Sequence, residues 1–264
     1  MRIAFLLVLM TIGLLSANAA PDKTSSMIGR LKYVPAGSFQ RDAIVTNISS
    51  VDGFWMSEYE VTRDQYKRIT GSDPSDTNVS KSMNDPVQQV SWKDALMFCN
   101  RLSIWEGLTP VYSAITEDSA TVDWAANGYR LPTEMEWMWA AMGADNSSGS
   151  YMKLFAGYNG NNELNDYAWT WNNSGMVAHS VGGKLPNELG IYDLSGSMEE
   201  WCWDRSRPYP QGELKNFKGD DTSGLRVLRG GSFFDNPRAA KVSNREESLP
   251  TNKLLDYGIR VIRK

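Results

Sequence analysis

Asn127-Gly128-Tyr129-Arg130-Leu131-Pro132-Thr133-Glu134 is the stretch from which the rest of the chain can be placed. Its first half has the character of a strand end. Its second half opens a helix, with Pro132 at the helix start, where a missing N–H costs little. Thr133 and Glu136 have the T-x-x-E spacing of a capping box, in which each side chain satisfies a backbone N–H of the other residue. Trp137, Ala140 and Ala141 follow at helical intervals. A strand running directly into a capped helix points to a mixed α and β architecture.

Working outward, two more helices are legible. Thr62 caps a helix over 63–70 that Gly71 and Pro74 end. Ser91 opens another, with Asp94 in the capping-box position and Gly107 as its stop. Ala95, Leu96, Phe98, Cys99 and Leu102 fall on one face of it. Strand-like segments lie at 31–39, 54–61, 225–229 and 257–262. Between the third helix and Leu225 the chain has little periodicity and is rich in Gly, Asn, Asp and Trp. So long an irregular stretch in a compact domain signals function or a stabilising ion. The ten tryptophans explain how it stays ordered, since each ring buries a large area at low entropy cost. The expected fold is a loop-rich α+β domain.

The N-terminus reads as a secretory signal. Arg2 gives a positive start, 3–15 is apolar apart from Thr11 and Gly13, and Ala17-Asn18-Ala19 has the A-x-A form of a cleavage site. The alternative, an uncleaved anchor, would need about 20 apolar residues. No cysteine follows the run to accept a lipid. Residues 1–19 are expected to leave, and 20–264 to form one exported domain with a short flexible lead at 21–26. Net charge is −4, and the loss of Arg2 makes it −5. The basic residues form no runs, which removes the electrostatic case for nucleic acid. No later segment approaches the length of a membrane span.

Two cysteines cannot build a disulfide framework. Cys99 and Cys202 read as small buried hydrophobes; a single Cys99–Cys202 bridge is the alternative that export permits. The one histidine, His179, excludes a His-rich zinc or iron site, and a Ser-His-Asp triad unless His179 serves it. It lies in the polar stretch 172–179 and reads as an exposed loop residue.

Six phrases in order resemble the formylglycine-generating (sulfatase-modifying) enzyme family. They are Phe54-Trp55-Met56-Ser57-Glu58-Tyr59-Glu60-Val61-Thr62, Pro86-Val87-Gln88-Gln89-Val90-Ser91-Trp92 and the opening stretch. Then come Pro186-Asn187-Glu188-Leu189-Gly190-Ile191-Tyr192-Asp193-Leu194-Ser195-Gly196 with Glu200-Trp201, Arg229-Gly230-Gly231-Ser232-Phe233, and Gly258-Ile259-Arg260. The resemblance covers nearly all of the mature chain. It implies a C-type-lectin-like fold with few helices and short antiparallel strands.

It also implies that the family's chemistry is missing. Catalytic members hold copper(I) on two cysteines after the Gly-Gly-Ser segment, and soft thiolates are what that ion prefers. Those positions fall here on Asp235 and Ala240, so no copper is expected. The iron-dependent sulfoxide synthases of the same fold need several histidines, and this chain has one.

Binding is the remaining use of the fold. The C-terminal part resembles the variable ligand-binding proteins diversified by retroelements, which display side chains between the Gly-Gly-Ser bend and a closing strand. Here that window is 234–257, and Ile259 replaces the usual phenylalanine. It offers Phe234, Asp235, Asn236, Arg238, Asn244, Arg245, Glu246, Glu247, Asn252, Lys253 and Asp256. Of these, Phe234, Asp235, Asn236, Arg238, Asn244, Glu246, Asn252 and Asp256 are the expected ligand-binding residues. Loops on a rigid scaffold are where recognition resides, and this mixture of groups suits a protein or glycan surface. An accessory envelope protein with no specific ligand is the second reading, and a sulfatase-modifying enzyme the third.

Relatives also carry structural calcium, a hard ion that takes six to eight oxygen ligands. Asn165, Asp166 and Tyr167 resemble one such segment, and Ser195, Gly196, Ser197 and Glu200 the other. This chain departs from the pattern there. Ser197 stands in place of the common asparagine and Glu199 in place of tryptophan.

Overall fold

The computed structural model describes residues 20–147, 151–158, 163–219 and 224–264, so the expected signal at 1–19 lies outside the described residues. Among the described residues, three α-helices form where the caps place them: α1 (Arg63–Thr70), α2 (Trp92–Trp105) and α3 (Glu134–Ala141). Each starts with a complete capping box, Thr62 with Gln65, Ser91 with Asp94 and Thr133 with Glu136. Gly71 ends α1 in the left-handed conformation at φ 91°, which glycine adopts without a Cβ clash. Pro132 is not in the first turn of α3. It lies one residue outside the N-cap, and its carbonyl accepts from the Trp203 N–H at 2.9 Å.

Every residue of α3 is buried. Strands Gly37–Gln40, Ile48–Val51, Glu199–Arg205 and Arg226–Arg229 pack around it, so it has no solvent face for an amphipathic pattern to mark. Its two charged residues are paired. Glu136 takes a two-pronged contact from Arg130 at 2.6 and 2.7 Å, and Glu134 meets Arg229, and Arg245 at 2.7 Å.

The strands among the described residues build two four-stranded sheets and two smaller ones. In the first, Lys23–Ser25, Gly29–Val34, Phe54–Ser57 and Ile262–Arg263 pair antiparallel in that order. Half of the expected flexible lead at 21–26 is therefore an edge strand, and the Pro21 carbonyl accepts from the Trp55 indole at 2.9 Å. In the second, the order is Glu246–Ser248, Arg226–Arg229, Glu199–Arg205, Tyr257–Gly258, and the last pair is parallel.

The segment expected as a strand over 31–39 splits after Val34 and feeds two sheets. That expected over 257–262 splits likewise into Tyr257–Gly258 and Ile262–Arg263. The strand at 54–61 stops at Ser57. Glu199–Arg205 has no counterpart in the sequence reading. All seven of its residues are buried, and a strand covered on both faces shows no alternation.

Arg260 ties the two main sheets together. It is fully buried, its Nε lies 2.8 and 3.0 Å from the Glu200 carboxylate oxygens, and its other nitrogens donate to the carbonyls of Ser57 and Tyr192. Cys99 and Cys202 are free, buried and in different apolar clusters. The bridge alternative is not formed.

Candidate functional site

Arg229 ends its strand beneath Gly230 and Gly231, which turn the chain at φ 103° and 67°. A Cβ on Gly231 would sit 2.7 Å from the Ala239 carbonyl carbon, so glycine is required both by conformation and by the returning loop. Ser232 follows, two residues before the window opens. Its N–H donates to Asp235 at 2.9 Å, and its hydroxyl lies 2.7 Å from Asp235 and 2.9 Å from Asp256. One hydroxyl proton serves one acceptor at a time, so the two carboxyl groups share a single donor. Burial, opposed in part by the Ser232 hydrogen bond and reinforced by Asp235, holds the Asp256 carboxyl above the usual range.

A second turn docks on this loop. The Trp171 N–H donates to the Asp235 carbonyl at 3.0 Å, and the Ser174 hydroxyl donates to the Phe233 carbonyl at 2.7 Å. Phe234 is half-buried against Phe233, with ring centroids 4.1 Å apart. Trp171 and Met176 on the docked turn are 50% and 49% exposed. A large aromatic and a thioether held beside this loop are groups found at recognition surfaces.

The remaining expected residues divide. Asn236 and Arg238 are exposed on the same loop, where the Asn236 amide oxygen accepts from the Arg238 N–H. Asn244 and Glu246 are bonded to one another at 3.1 Å. Asn252 donates to Ser248 at 2.8 Å, and Lys253 pairs with Asp94. Arg245 is committed to the interior, paired with Glu134 and placed over the Tyr209 ring. Glu247 accepts from Ser206.

Glu199 is the site residue that sequence reasoning missed. It is only 6% exposed, and no donor among the described residues reaches its carboxyl group. Burial, then Asp256, Asp235 and Glu246 in turn, push it up to about 9. The one signal in the sequence was its standing in place of a tryptophan.

The calcium residues are placed differently. The Ser197 hydroxyl donates to Glu60 at 3.0 Å, and Glu200 is spent on Arg260 and on the Trp137 indole at 2.7 Å. Those oxygens do not fit a calcium ion, which would have to displace an arginine and an indole. Asn165 and Asp166 are exposed and Tyr167 half-buried. Asn165 accepts from Asn173 at 3.2 Å, and the Asp166 carbonyl accepts from the Leu185 N–H. Lys184, which feels the charge of Asp166, sits 3.8 Å over the Trp169 ring. Among the described residues, no three Cys, His, Asp or Glu side chains converge on a metal position.

His179 is not an exposed loop residue. It is half-buried, stacked on Trp169 at 3.8 Å, with Nε2 2.8 Å from the Ser174 carbonyl. Asp235 is capped by Ser232, and Ala240 is buried with its carbonyl accepting from Ser195. Neither copper position carries sulfur. Both real thiols are held well above their ordinary range, chiefly by burial, which keeps them from the reactive thiolate form.

Comparison with known proteins agrees with this fold. The structure of Treponema denticola variable protein 1 superposes with a TM-score of 0.82 at 30% identity, covering 92% of this chain and 99% of that one. The chaperone protein LppX of Paenibacillus barcinonensis is 29% identical over 98% of this chain and 97% of its own length. The formylglycine-generating enzyme of Streptomyces coelicolor is 27% identical over 70% of this chain, which spans 54% of that enzyme. With the model for the sulfatase-modifying factor enzyme 1-like domain matching residues 16–264, the chain belongs to that family.

Proposed function

We propose that this protein is an exported, non-catalytic recognition module whose partner meets the loop Phe234, Asp235, Asn236 and Arg238 together with the docked turn carrying Trp171 and Met176. The observation that supports this most is that turn. An exposed tryptophan is fastened, by its own backbone N–H and by the Ser174 hydroxyl, to the loop that would otherwise carry the copper thiols. Fixed aromatic groups bind at low entropic cost, because little freedom is left to lose.

A protein partner is favoured over a glycan by the likeness to a relative named as a chaperone, which extends over 98% of this chain. The likeness to a variable protein supports a narrower reading, in which 234–257 tolerates sequence change because its exposed side chains sit on a framework fixed by Gly231, Ser232 and Arg245. Sequencing closely related copies tests that. Differences confined to the exposed positions of the window support diversification, and differences spread evenly over the chain contradict it.

The function is tested by replacing Trp171 and Met176 with alanine and measuring capture of candidate partners from the secreted fraction. Loss of partners that the parent protein retains supports the surface. Retention of the same partners by the folded variant moves the site elsewhere.

A further inference from the structure

The strand Glu199–Arg205 sends successive side chains to opposite faces. Glu200 goes inward to Arg260 and Trp137, so Glu199 faces the other way. The charged groups it meets there are Asp256, Asp235 and Glu246, contributed by the parallel strand's lead-in, the Gly-Gly-Ser loop and the edge strand two places away in the sheet. Its backbone is fixed against the same group, because the Glu199 N–H donates to the Asp256 carbonyl at 2.9 Å. Buried carboxyl groups are nearly always hydrogen-bonded or paired. Glu199 is neither among the described residues, although 94% of its surface is covered. It is also not sealed, because its oxygens are absent from the unpartnered polar atoms closed off from solvent.

We infer that Glu199, Asp235 and Asp256 form a subsite of the recognition surface for an organic cation, the ammonium or guanidinium of a lysine or arginine side chain on a protein partner. The carboxyl groups do not converge as metal ligands do, whereas an ammonium offers three donors and a guanidinium five, enough to span separated acceptors. A cation seated there gives Glu199 the partner it lacks and relieves the crowding around Ser232. Trp171, fastened to Asp235, supplies an adjoining face for the aliphatic stem of such a side chain.

This inference rests on the proposed recognition surface, and its test separates the two. The full mature protein is titrated with N-acetyl-lysine amide, N-acetyl-arginine amide and N-acetyl-norleucine amide to about 50 mM, with binding followed by NMR shifts. Spermidine is included as a free amine source. The variants are Glu199→Gln and Asp256→Asn, with Glu117→Gln as a remote charge control. The subsite requires the lysine or arginine probe to shift resonances of Glu199 and Ser232. It also requires norleucine to leave them in place, and each site variant to weaken binding at least about tenfold while the control does not. Equal response to norleucine, an unaffected Glu199→Gln variant, or no cation-dependent shift overturns it. Spermidine binding in place of both amino-acid probes overturns the protein-side-chain source. If the Trp171 and Met176 variant still loses its partner in any of these cases, the recognition surface stands without the subsite.

Discussion

Arg260 Nε lies 2.8 Å from a carboxylate oxygen of Glu200, and both side chains are almost completely buried. Glu60 and Asp193 lie close enough to share the field of this arginine, and burial, more than any neighbour, pushes both carboxyl groups up. One guanidinium thus sits among three carboxyl groups between the two main sheets and pairs directly with Glu200. Replacing Arg260 with methionine, which keeps most of the volume, is expected to cost about 3–5 kcal/mol, because an uncompensated buried charge remains. Urea unfolding at neutral pH measures it. A loss below about 1 kcal/mol would show that the cluster is neutral without its arginine.

Stability should depend on pH through two buried acids. The unfolded chain ionises such groups near pH 4, whereas the folded protein raises Asp204 to about 8 and Glu199 to about 9, chiefly by burial. Between those limits the folded state holds protons that the unfolded state has released. Their contribution is therefore fully present below about pH 4 and is lost as pH rises toward 9. Glu199→Gln should raise Tm by about 2–6 °C near pH 8 and leave it unchanged near pH 4. Equal Tm gains at both values would contradict the assignment.

Neither thiol should react with an aromatic disulfide reagent in the native state, and both should react once guanidinium unfolds the protein. Burial at 0% exposure keeps Cys99 and Cys202 protonated and out of reach. With no sulfur at Asp235 or Ala240, added copper(I) should support no oxygen uptake with a cysteine-containing peptide. Oxygen consumption above the copper blank would restore the enzymatic reading.

Calcium removal gives a further check. Because Ser197 and Glu200 spend their oxygens on protein partners, a chelator is expected to leave Tm within about 1 °C. A larger drop would mean that an ion is held elsewhere.

Much of the scaffold was readable because its signals are local. The three capping boxes each sit within four residues, and Gly230-Gly231 announces its own bend. Glu199–Arg205 was hidden because its charged residues resemble a loop and their partners lie far away in sequence, Glu200 with Arg260 and Asp204 with Glu134. The same holds for the site. The window 234–257 was marked by the resemblance, but no spacing rule relates Glu199 to Asp235 and Asp256, or Trp171 to Asp235. His179 looked exposed because its neighbours are polar, and only the fold places it against Trp169.

The central claim is that the loop after Gly-Gly-Ser recognises a partner. The most direct measurement compares the mature protein with a variant carrying alanine at Phe234, Asp235, Asn236 and Arg238 on a protein and glycan array, with circular dichroism confirming that both are folded. The account expects binding by the parent protein that the variant loses. Equal binding by both, or none by either, would contradict it and leave the segment an ordinary surface loop on a structural scaffold.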